Sequence, residues 1–291
     1  DFQTAVIGPA GENHVLFATI THNGRHAGRG GSGAVMGAMN LKAIAVRGNH
    51  TCQWADPSSL IRYAKSLSDR SLGAATEKYR DLGTASNLLA FNRLKTLPTR
   101  NFQSGSFAGA EQLAPETLVK SRHKTRASCA SCTIGCEHIY AIDSSDDSQT
   151  SAVVRLEYES LFALGSLCDV NDPDAVLRAA RLCDDLGIDT ISAGATIACA
   201  MEAVERGWLA EDWLRFGQGA ALIRAIELIG RRQGVGSLLA DGSRRFAQSI
   251  GPEAERIAPH VKGLEIPGYE PRGTQTQALG FAVGARGADH N

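Results

Sequence analysis

The sequence predicts an α+β protein, in which the end of a β-rich N-terminal domain leads into a mostly α-helical body. Two observations carry that expectation. Residues 1–48 hold short Val- and Ile-rich runs separated by Gly, Asn and His, the texture of strands joined by turns. From Asp56-Pro57 onward, apolar residues recur at three- and four-residue spacing behind capping residues, the period of helices with one buried face. Of the 291 residues, 43% are hydrophobic and 21% charged, enough chain and enough apolar surface for a substantial core.

The strands come first. Ala5–Gly8, Val15–Ile20 and Leu41–Val46 read as three of them. Between the last two lies Arg25–Gly37, with five glycines in thirteen residues, which reads as a loop. A helix is expected behind Asp56 or Ser58 as N-cap, with Leu60, Ile61, Tyr63, Ala64 and Leu67 at helical spacing. Residues 83–128 look irregular and basic, whereas residues 157–168 carry an apolar run suited to a helix. Asn171 or Asp172 caps the next helix, with Pro173 in its first turn where a missing N–H costs nothing, and that helix ends at Gly187. Helices follow over residues 190–206, 211–232 and 235–250. No repeat or low-complexity stretch appears, so order is expected throughout.

Composition excludes several function classes. Thirty basic against 31 acidic residues leave a net charge of −1, with no basic stripe for nucleic acid and no polybasic segment for a lipid surface. The apolar stretches around Ile191–Val204 and Ala220–Ile229 are too short or interrupted to span a bilayer. The first residues carry no signal-peptide pattern, so the expected location is the cytoplasm. Seven cysteines, an odd number without a secretion signal, argue against a disulfide framework.

Three of those cysteines stand apart. Cys129, Cys132 and Cys136 are spaced CxxCxxxC, which lets a loop aim three sulfurs at one point, as thiolates do around an iron–sulfur cube. Gly135 permits the close backbone approach such a cluster needs. Zinc, held by three Cys and a further ligand, is the rival, and three unrelated thiols the plainer alternative. A radical SAM site places its longer gap first, so the order here argues against one. His138 is near enough to donate to a cluster sulfur, although a surface position reads better. Cys168, Cys183 and Cys199 lie in apolar or helical contexts and read as buried thiols.

The glycine-rich segment is ambiguous by itself. Its bare N–H groups suit phosphates, with Arg29 adding charge, yet no Gly-Lys-Ser/Thr follows and the strand–loop–helix order of a dinucleotide fingerprint is not evident. A tight structural loop reads equally well. Asp184-Asp-Leu-Gly-Ile-Asp189 reads as a helix end capped by Gly187, with carboxylates also able to accept bonds from a bound heterocycle. Glu157, Glu159 and His290 are candidates for proton transfer, though each alone also reads as structural.

Together these strings resemble one family. Arg29-Gly-Gly-Ser-Gly-Ala-Val-Met-Gly37 followed by Asn40-Leu-Lys-Ala-Ile-Ala-Val46 resembles the AGRGG-x-GAVMG-x-x-NLKAI signature of the aldehyde:ferredoxin oxidoreductases. Cys129–Cys136 sits where that family binds three corners of a [4Fe–4S] cluster. Leu156–Ser160 is similar to its EYET segment, and Cys183–Ser192 to its first DxxGL/ID pterin-binding motif. Lys262–Pro267, Tyr269–Arg272 and Arg286–His290 match later motifs in order, so the resemblance spans essentially the whole chain.

The resemblance implies a mononuclear tungsten, sometimes molybdenum, held by two pyranopterins beside one [4Fe–4S] cluster. It implies oxidation of an aldehyde to a carboxylic acid, with two electrons passing through the cluster to ferredoxin or an electron-transfer subunit, and it admits a homodimer. Ala27, Gly28, Arg29, Gly30 and Gly31 would contact the pterin phosphates, with Arg29 the charged contact. Asp184, Ile188 and Asp189 would hold a pterin ring system; Cys129, Cys132 and Cys136 would ligate the cluster. Glu159 and His290 match positions next to the metal and would assist proton transfer. Residues 1–54 would end the β-rich pterin-binding domain, 55–262 form the helical domain with the cysteine loop, and 263–291 begin a third helical domain.

Three departures accompany the resemblance. The family's earliest pterin contacts precede residue 1, and its second DxxGLC motif, source of the fourth cluster cysteine, follows His290, so the chain reads as an internal piece. Many relatives read RGxCH where this chain has Arg286-Gly-Ala-Asp289-His290, and Asp289 is expected to raise the pKa of His290. Two alternatives stand beside the aldehyde oxidoreductase: a low-potential, aryl-CoA reductase-like enzyme of the same family, and a non-catalytic iron–sulfur or zinc module.

Overall fold

The structure, a computed structural model, describes residues 2–122, 124–142 and 152–290. The expectation of order over residues 143–151 lies outside the described residues. Strand β1 (Gln3–Ile7) leads through the short helix α1 (Pro9–Glu12) to β2 (Ile20–His22), β3 (Arg25–Ala27), α2 (Ser32–Ala38) and β4 (Ala43–Val46). The four strands form one antiparallel sheet in the order β3-β2-β1-β4, with Val6 opposite Thr21 and Ala43. Helices α3 (Pro57–Ser71), α4 (Ala74–Leu82), α5 (Leu88–Arg93), α6 (Ala110–Leu113) and α7 (Pro115–Ser121) follow. Next comes a three-stranded antiparallel sheet of β5 (Lys124–Ala127), β6 (Glu137–Ala141) and β7 (Val153–Arg155). The helical body comprises α8 (Tyr158–Leu164), α9 (Pro173–Leu186), α10 (Thr190–Glu205), α11 (Gly219–Arg231), α12 (Gly236–Leu239), α13 (Gly242–Ile250) and α14 (Pro252–Glu255). The strands β8 (His260–Val261) and β9 (Leu264–Glu265) pair as a hairpin, and α15 (Gln275–Val283) closes the described chain. Helix far outweighs strand, as expected. No helix among the described residues is long and apolar enough to cross a membrane.

Helix α10 is the axis of the body. Every residue from Ile191 to Val204 is buried, and a helix apolar on all sides must be surrounded. Around it pack α8, α11, α12, α13 and β9. Gly194 lets α8 come close, because a Cβ there would sit 2.3 Å from the carbonyl oxygen of Ala163. Phe162, Leu161 and Leu164 on α8 are fully buried against this axis, each contributing about 2 kcal/mol by burial. Cys168, Cys183 and Cys199 are buried as expected.

Four expectations need correction. Of the run Val15–Ile20 only Ile20 is in a strand, as the start of β2: the side chains of Val15–Thr19 are largely buried, but their amides bond to unrelated partners, Val15 to Ala10, Leu16 to Ala240 and Thr19 to Gly187. A continuous apolar run reports burial without a period of two, so it does not identify a strand. The glycine-rich segment does hold a strand–loop–helix order, in β3, residues 28–31 and α2. Low helix propensity hid α2, whose glycines serve close packing: a Cβ on Gly37 would lie 1.9 Å from the Gly11 carbonyl oxygen on α1. Residues 83–128 contain α5, α6, α7 and β5 rather than an irregular chain, and α11 begins at Gly219, later than expected. Helix α3 forms behind the Asp56 cap, which accepts from the Ser59 N–H at 2.9 Å, yet none of its residues is buried.

A main-chain junction joins the sheet segment to the body. Gly187 caps α9 in the left-handed conformation (φ 73°, ψ 53°), and Asp189 caps α10 two residues later. The Thr19 N–H donates to the Gly187 carbonyl (2.9 Å) and the Asp189 N–H to the Phe17 carbonyl (3.1 Å), so Ala18 and Ile188 face each other as an antiparallel bridge. Gly8 lies against this junction, and a Cβ there would be 2.3 Å from the Leu186 carbonyl oxygen. A Gly8→Ala variant is therefore expected to lose about 2 kcal/mol of stability in thermal denaturation. Gly48→Ala, where an added Cβ meets nothing within 4 Å, is expected to stay within about 0.5 kcal/mol of the parent.

Candidate functional site

The junction brings the glycine loop and the α9–α10 turn to one cleft. Leaving β3 at Ala27, the chain turns through Gly28, Arg29, Gly30 and Gly31 into α2. Gly30 and Gly31 adopt φ of 95° and 72°, and a Cβ on Gly31 would lie 2.1 Å from the Leu16 carbonyl oxygen. These are backbone states that favour glycine. Gly28 and Gly30, in contrast, face open space, since an added Cβ would meet nothing within 4 Å. The loop thus presents bare main chain on its outer side.

Arg29 points the other way. Its side chain is only 8% exposed, donating to the carbonyls of Ala288 (2.8 Å) and Glu265 (2.6 Å), with Nε 3.5 Å from Asp189 Oδ2. The guanidinium is committed to the later segments of the chain rather than to the open side of the loop. Asp189 itself accepts from the Ile191 N–H (3.1 Å) and the Ser192 hydroxyl (2.8 Å), as an N-cap does. The short α9–α10 turn sets Asp184 and Asp189 on one rim of a cleft of about 180 Å³, whose walls include Gly28, Thr19, Ile188 and Thr190. A second cleft, lined by Gly30, Gly31, Ser192, Glu265, Lys262 and Arg286, opens beyond the loop. Arg29, with contacts to Asp189 and Glu265, lies between residues of the two.

Sequence reasoning missed a polar set on the first cleft. His26 Nε2 lies 3.2 Å from Asp184 Oδ1, and its Nδ1 is 3.0 Å from Thr19 Oγ1 and 3.2 Å from Thr21 Oγ1. A carboxylate can only accept, so Nε2 carries the proton toward Asp184 and the threonine hydroxyls serve Nδ1. Arg25, Glu137, Arg155 and Glu157 line the same cleft. Only the placement of His26 and Arg25 beside the glycine loop hints at this in the sequence; Glu137 and Arg155 carry no local signal.

The structure brings Glu159 and His290 face to face. Glu159 sits in the first turn of α8, and its Oε2 accepts from the Gly268 N–H at 2.9 Å. Its Oε1 lies 3.7 Å from His290 Nε2 and, like His290 Nδ1, is buried with no hydrogen-bond partner among the described residues. Burial pushes the Glu159 carboxyl up to about 7, the nearby charges of Asp189 and Glu157 adding to the rise. The Gly268 N–H and Arg29 oppose it without prevailing. Burial pushes His290 down, and Arg29 acts in the same direction. The expectation that Asp289 raises His290 is therefore corrected. Asp289 does pull upward, but it is paired with Arg286, and desolvation of the ring wins. A neutral imidazole thus faces a carboxyl that exchanges its proton near neutrality, a pair suited to moving a proton. Tyr269 stands beside it, ring centres 5.9 Å apart.

The three grouped cysteines lie on the loop joining β5 to β6, where Ala127 pairs with Glu137. Ser131 and Gly135 take positive φ, and the Cys132 N–H donates to the Cys129 carbonyl at 3.0 Å, coiling the loop back on itself. Cys129 is exposed, while Cys132 and Cys136 are half-buried. Burial raises the Cys136 thiol, with Glu157, Cys129 and Cys132 adding to the effect, so the thiols feel one another. Among the described residues, however, no three His, Cys, Asp or Glu side chains are drawn together closely enough to enclose a metal ion. His138 is not at the surface. It is 1% exposed and bonds to the Arg80 carbonyl through Nε2 at 3.1 Å.

Comparisons with known proteins agree on one family. The description "Aldehyde ferredoxin oxidoreductase, N-terminal domain" matches residues 1–48, and "Aldehyde ferredoxin oxidoreductase, domains 2 & 3" matches residues 62–291. The tungsten-containing aldehyde ferredoxin oxidoreductases of Pyrococcus furiosus and Thermococcus kodakarensis are each 39% identical over 98% of this chain and 48% of their own length. The WOR-like subunit of an aliphatic sulfonate oxidoreductase from Pyrococcus furiosus is 28% identical over 98% of the chain and 47% of its own length. The chain therefore spans about half the length of the curated relatives it matches. Among solved structures, the active-site complex BamBC of benzoyl coenzyme A reductase, with bound 1,5-dienoyl-CoA, shares the fold. The TM-score is 0.76 at 24% identity, covering 98% of this chain and 46% of that one.

The raised carboxyl has a consequence for stability. Between pH 4.5 and about 7 the folded protein keeps a proton on Glu159 that the unfolded chain has released. Stability from this group therefore falls as pH rises through that window, and the full cost applies above it. Glu159→Gln, which cannot ionise, is expected to stabilise the fold by about 1–3 kcal/mol near pH 8 and by nothing near pH 4. Chemical denaturation at the two pH values reads this, and an equal effect at both would place the cause elsewhere.

Proposed function

Because the chain belongs to the aldehyde ferredoxin oxidoreductase family, we propose that it carries the catalytic centre of a tungsten- or molybdenum-pterin oxidoreductase. The reaction is oxidation of an aldehyde with water to a carboxylic acid, two electrons leaving through a [4Fe–4S] cluster to ferredoxin or an electron-transfer subunit. The observation that carries this reading is the pair Glu159 and His290, two half-buried proton-exchanging groups that face each other, each with one buried atom left without a hydrogen-bond partner among the described residues. In this reading residues 1–54 complete a pterin-binding domain, 55–262 form the helical domain, and 263–291 begin a third; the first of these boundaries falls between the two family matches, over residues 1–48 and 62–291.

The cleft residues fit the pterin that the family implies, whereas the three cysteines share one loop without being gathered around one point. Gly28 and Gly30 have open space where a side chain would be, as a phosphate-bearing ligand against bare N–H groups requires. Asp184, Ile188 and Asp189 would hold a pterin from the opposite wall, with His26 fixing one oxygen of Asp184. Ala27 ends the strand that leads into the loop. Arg29 would act between the two clefts, its cation set by Asp189 and two carbonyls rather than lying free for a phosphate. Cys129, Cys132 and Cys136, on one loop, are the residues that would hold three corners of the cluster. The metal, when bound, supplies acceptance of the two electrons.

The chain's own residues handle protons. Hydration and oxidation of an aldehyde release two protons with the two electrons. His290, kept neutral by burial, is set to accept one, and Glu159, exchanging near pH 7, is set to relay it. Tyr158 donates to the Gly268 carbonyl, while the Gly268 N–H donates to Glu159, so the short Gly268 segment fixes the carboxyl's orientation.

The test is aldehyde-dependent reduction of a viologen dye by the natural full-length protein. His290→Ala is expected to retain its metals and lose turnover by about 10²- to 10⁴-fold. Turnover near that of the parent would remove the proton-transfer role. Cys132→Ser is expected to lose the cluster, read as a fall in bound iron, and unchanged iron would overturn the ligand assignment. Bound tungsten without aldehyde activity would favour the reductase alternative, which uses the same groups in the opposite direction.

A further inference from the structure

Most of the charges in the first cleft balance one another. Glu137 has Arg25 at 3.1 Å and Arg155 against the same oxygen, and Arg25 also donates to Glu157 at 3.1 Å. Asp184 stands outside that set. It lies in the last turn of α9, which carries no basic residue, at the carbonyl end of the helix where a carboxylate is disfavoured. Asp185 beside it is paired with Arg181, whereas the ion-pair partner of Asp184 is His26, with Nε2 3.2 Å from Oδ1. The strand register explains how His26 is held. Thr21 pairs with His26 across β2 and β3, and Thr19, two residues earlier, comes to the same ring. Both hydroxyls reach His26 Nδ1, at 3.0 Å from Thr19 and 3.2 Å from Thr21. Thr19 is buried and is itself tied to the body, its N–H donating to the Gly187 carbonyl at 2.9 Å. A chain of contacts thus runs from the main-chain junction through Thr19 and His26 to Asp184.

We propose that His26 is a positioning residue for the proposed pterin: its Nε2–H holds Asp184 Oδ1 and so aims the second carboxylate oxygen at N–H donors on the edge of the heterocycle. This inference rests on the reading of the cleft as a pterin site. The pyrimidine ring of a pterin carries a ring N–H and an amino group side by side, and an ionised carboxylate accepts from such donors. A carboxylate left to itself turns about its side-chain bonds, and fixing one oxygen fixes the other. His26, Asp184, Ile188, Asp189 and Gly28 line one cleft, so the held carboxylate shares its space with the bare main chain of the glycine loop. Because His26 stands on β3 two residues before Gly28, the strand that carries the loop also orients the wall opposite it.

The test is the rate at which pterin leaves the natural full-length protein, purified without oxygen. It is read after timed incubation and gel filtration, from the fluorescence of oxidised pterin and from the tungsten or molybdenum retained. His26→Ala is expected to lose pterin about 10-fold faster than the parent, the size of effect that follows removal of a partner orienting a ligand group. His26→Leu, which fills the place of the ring without a donor, is expected to behave as His26→Ala does. His26→Gln, whose amide can donate to Asp184, is expected to recover most of the retention. In an Asp184→Ala background, His26→Ala is expected to add little, because both changes remove one contact. Retention like that of the parent in His26→Ala or His26→Leu overturns the inference. A loss in His26→Gln as large as in His26→Ala overturns it in favour of packing by the ring, and an equal further loss in the Asp184→Ala background shows that His26 does not act through Asp184. Parent protein that carries no pterin overturns the reading of the cleft itself.

Discussion

The site depends on a two-bond junction. The exchange of main-chain hydrogen bonds between Phe17–Thr19 and Gly187–Asp189 fastens the N-terminal sheet to the helical body. Everything proposed for the cleft stands on one side of it or the other. The glycine loop is carried by the sheet, while Asp184 and Asp189 are carried by the ends of α9 and α10. A tight turn of three residues between those helices is possible because Gly187 accepts a left-handed backbone and Asp189 can cap at once. Glycines at positions 8, 31 and 33 then let the layers close, since at each a Cβ would fall within 2.4 Å of a carbonyl oxygen. Small residues here serve proximity more than flexibility.

Arg29 is the electrostatic counterpart of that junction. It draws together Asp189 from α10, the carbonyl of Glu265 from β9 and that of Ala288 beside His290. One cation thus ties three distant parts of the chain and lies close enough to influence both proton-exchanging groups. It lowers Glu159 and His290 alike, while burial moves them in opposite senses, upward for the acid and downward for the base. Desolvation is the larger effect for each. The result is two groups whose charged forms are both disfavoured, which brings their proton affinities toward one another.

Much of this was legible in the sequence, for identifiable reasons. Helices α9 and α10 announce themselves through Asp172-Pro173, Gly187 and Asp189, where capping chemistry is local and unambiguous. The cysteine spacing marks a loop, and a loop it is. What escaped depends on partners remote in sequence. Val15–Ile20 looks like a strand until one sees that Ala240 and Gly187 take its hydrogen bonds. Helix α2 is disguised by the glycines its packing requires. The pairing of His26 with Asp184, and of Glu137 with Arg25 and Arg155, joins residues more than a hundred positions apart, or rests on which way a strand faces. Asp289 illustrates a different limit. Adjacency in sequence suggested that it would govern His290, but the burial of the ring, visible only in the fold, outweighs it.

The central claim is that this fold shapes a pocket for a group 6 metal bound through pterin, with an iron–sulfur cluster nearby. Elemental analysis by plasma mass spectrometry of the natural full-length protein, purified without oxygen, tests it most directly. The account predicts tungsten or molybdenum near one atom per chain, together with several irons. Zinc, or iron with no group 6 metal, would leave the fold and its junction intact and contradict the oxidoreductase chemistry built upon them.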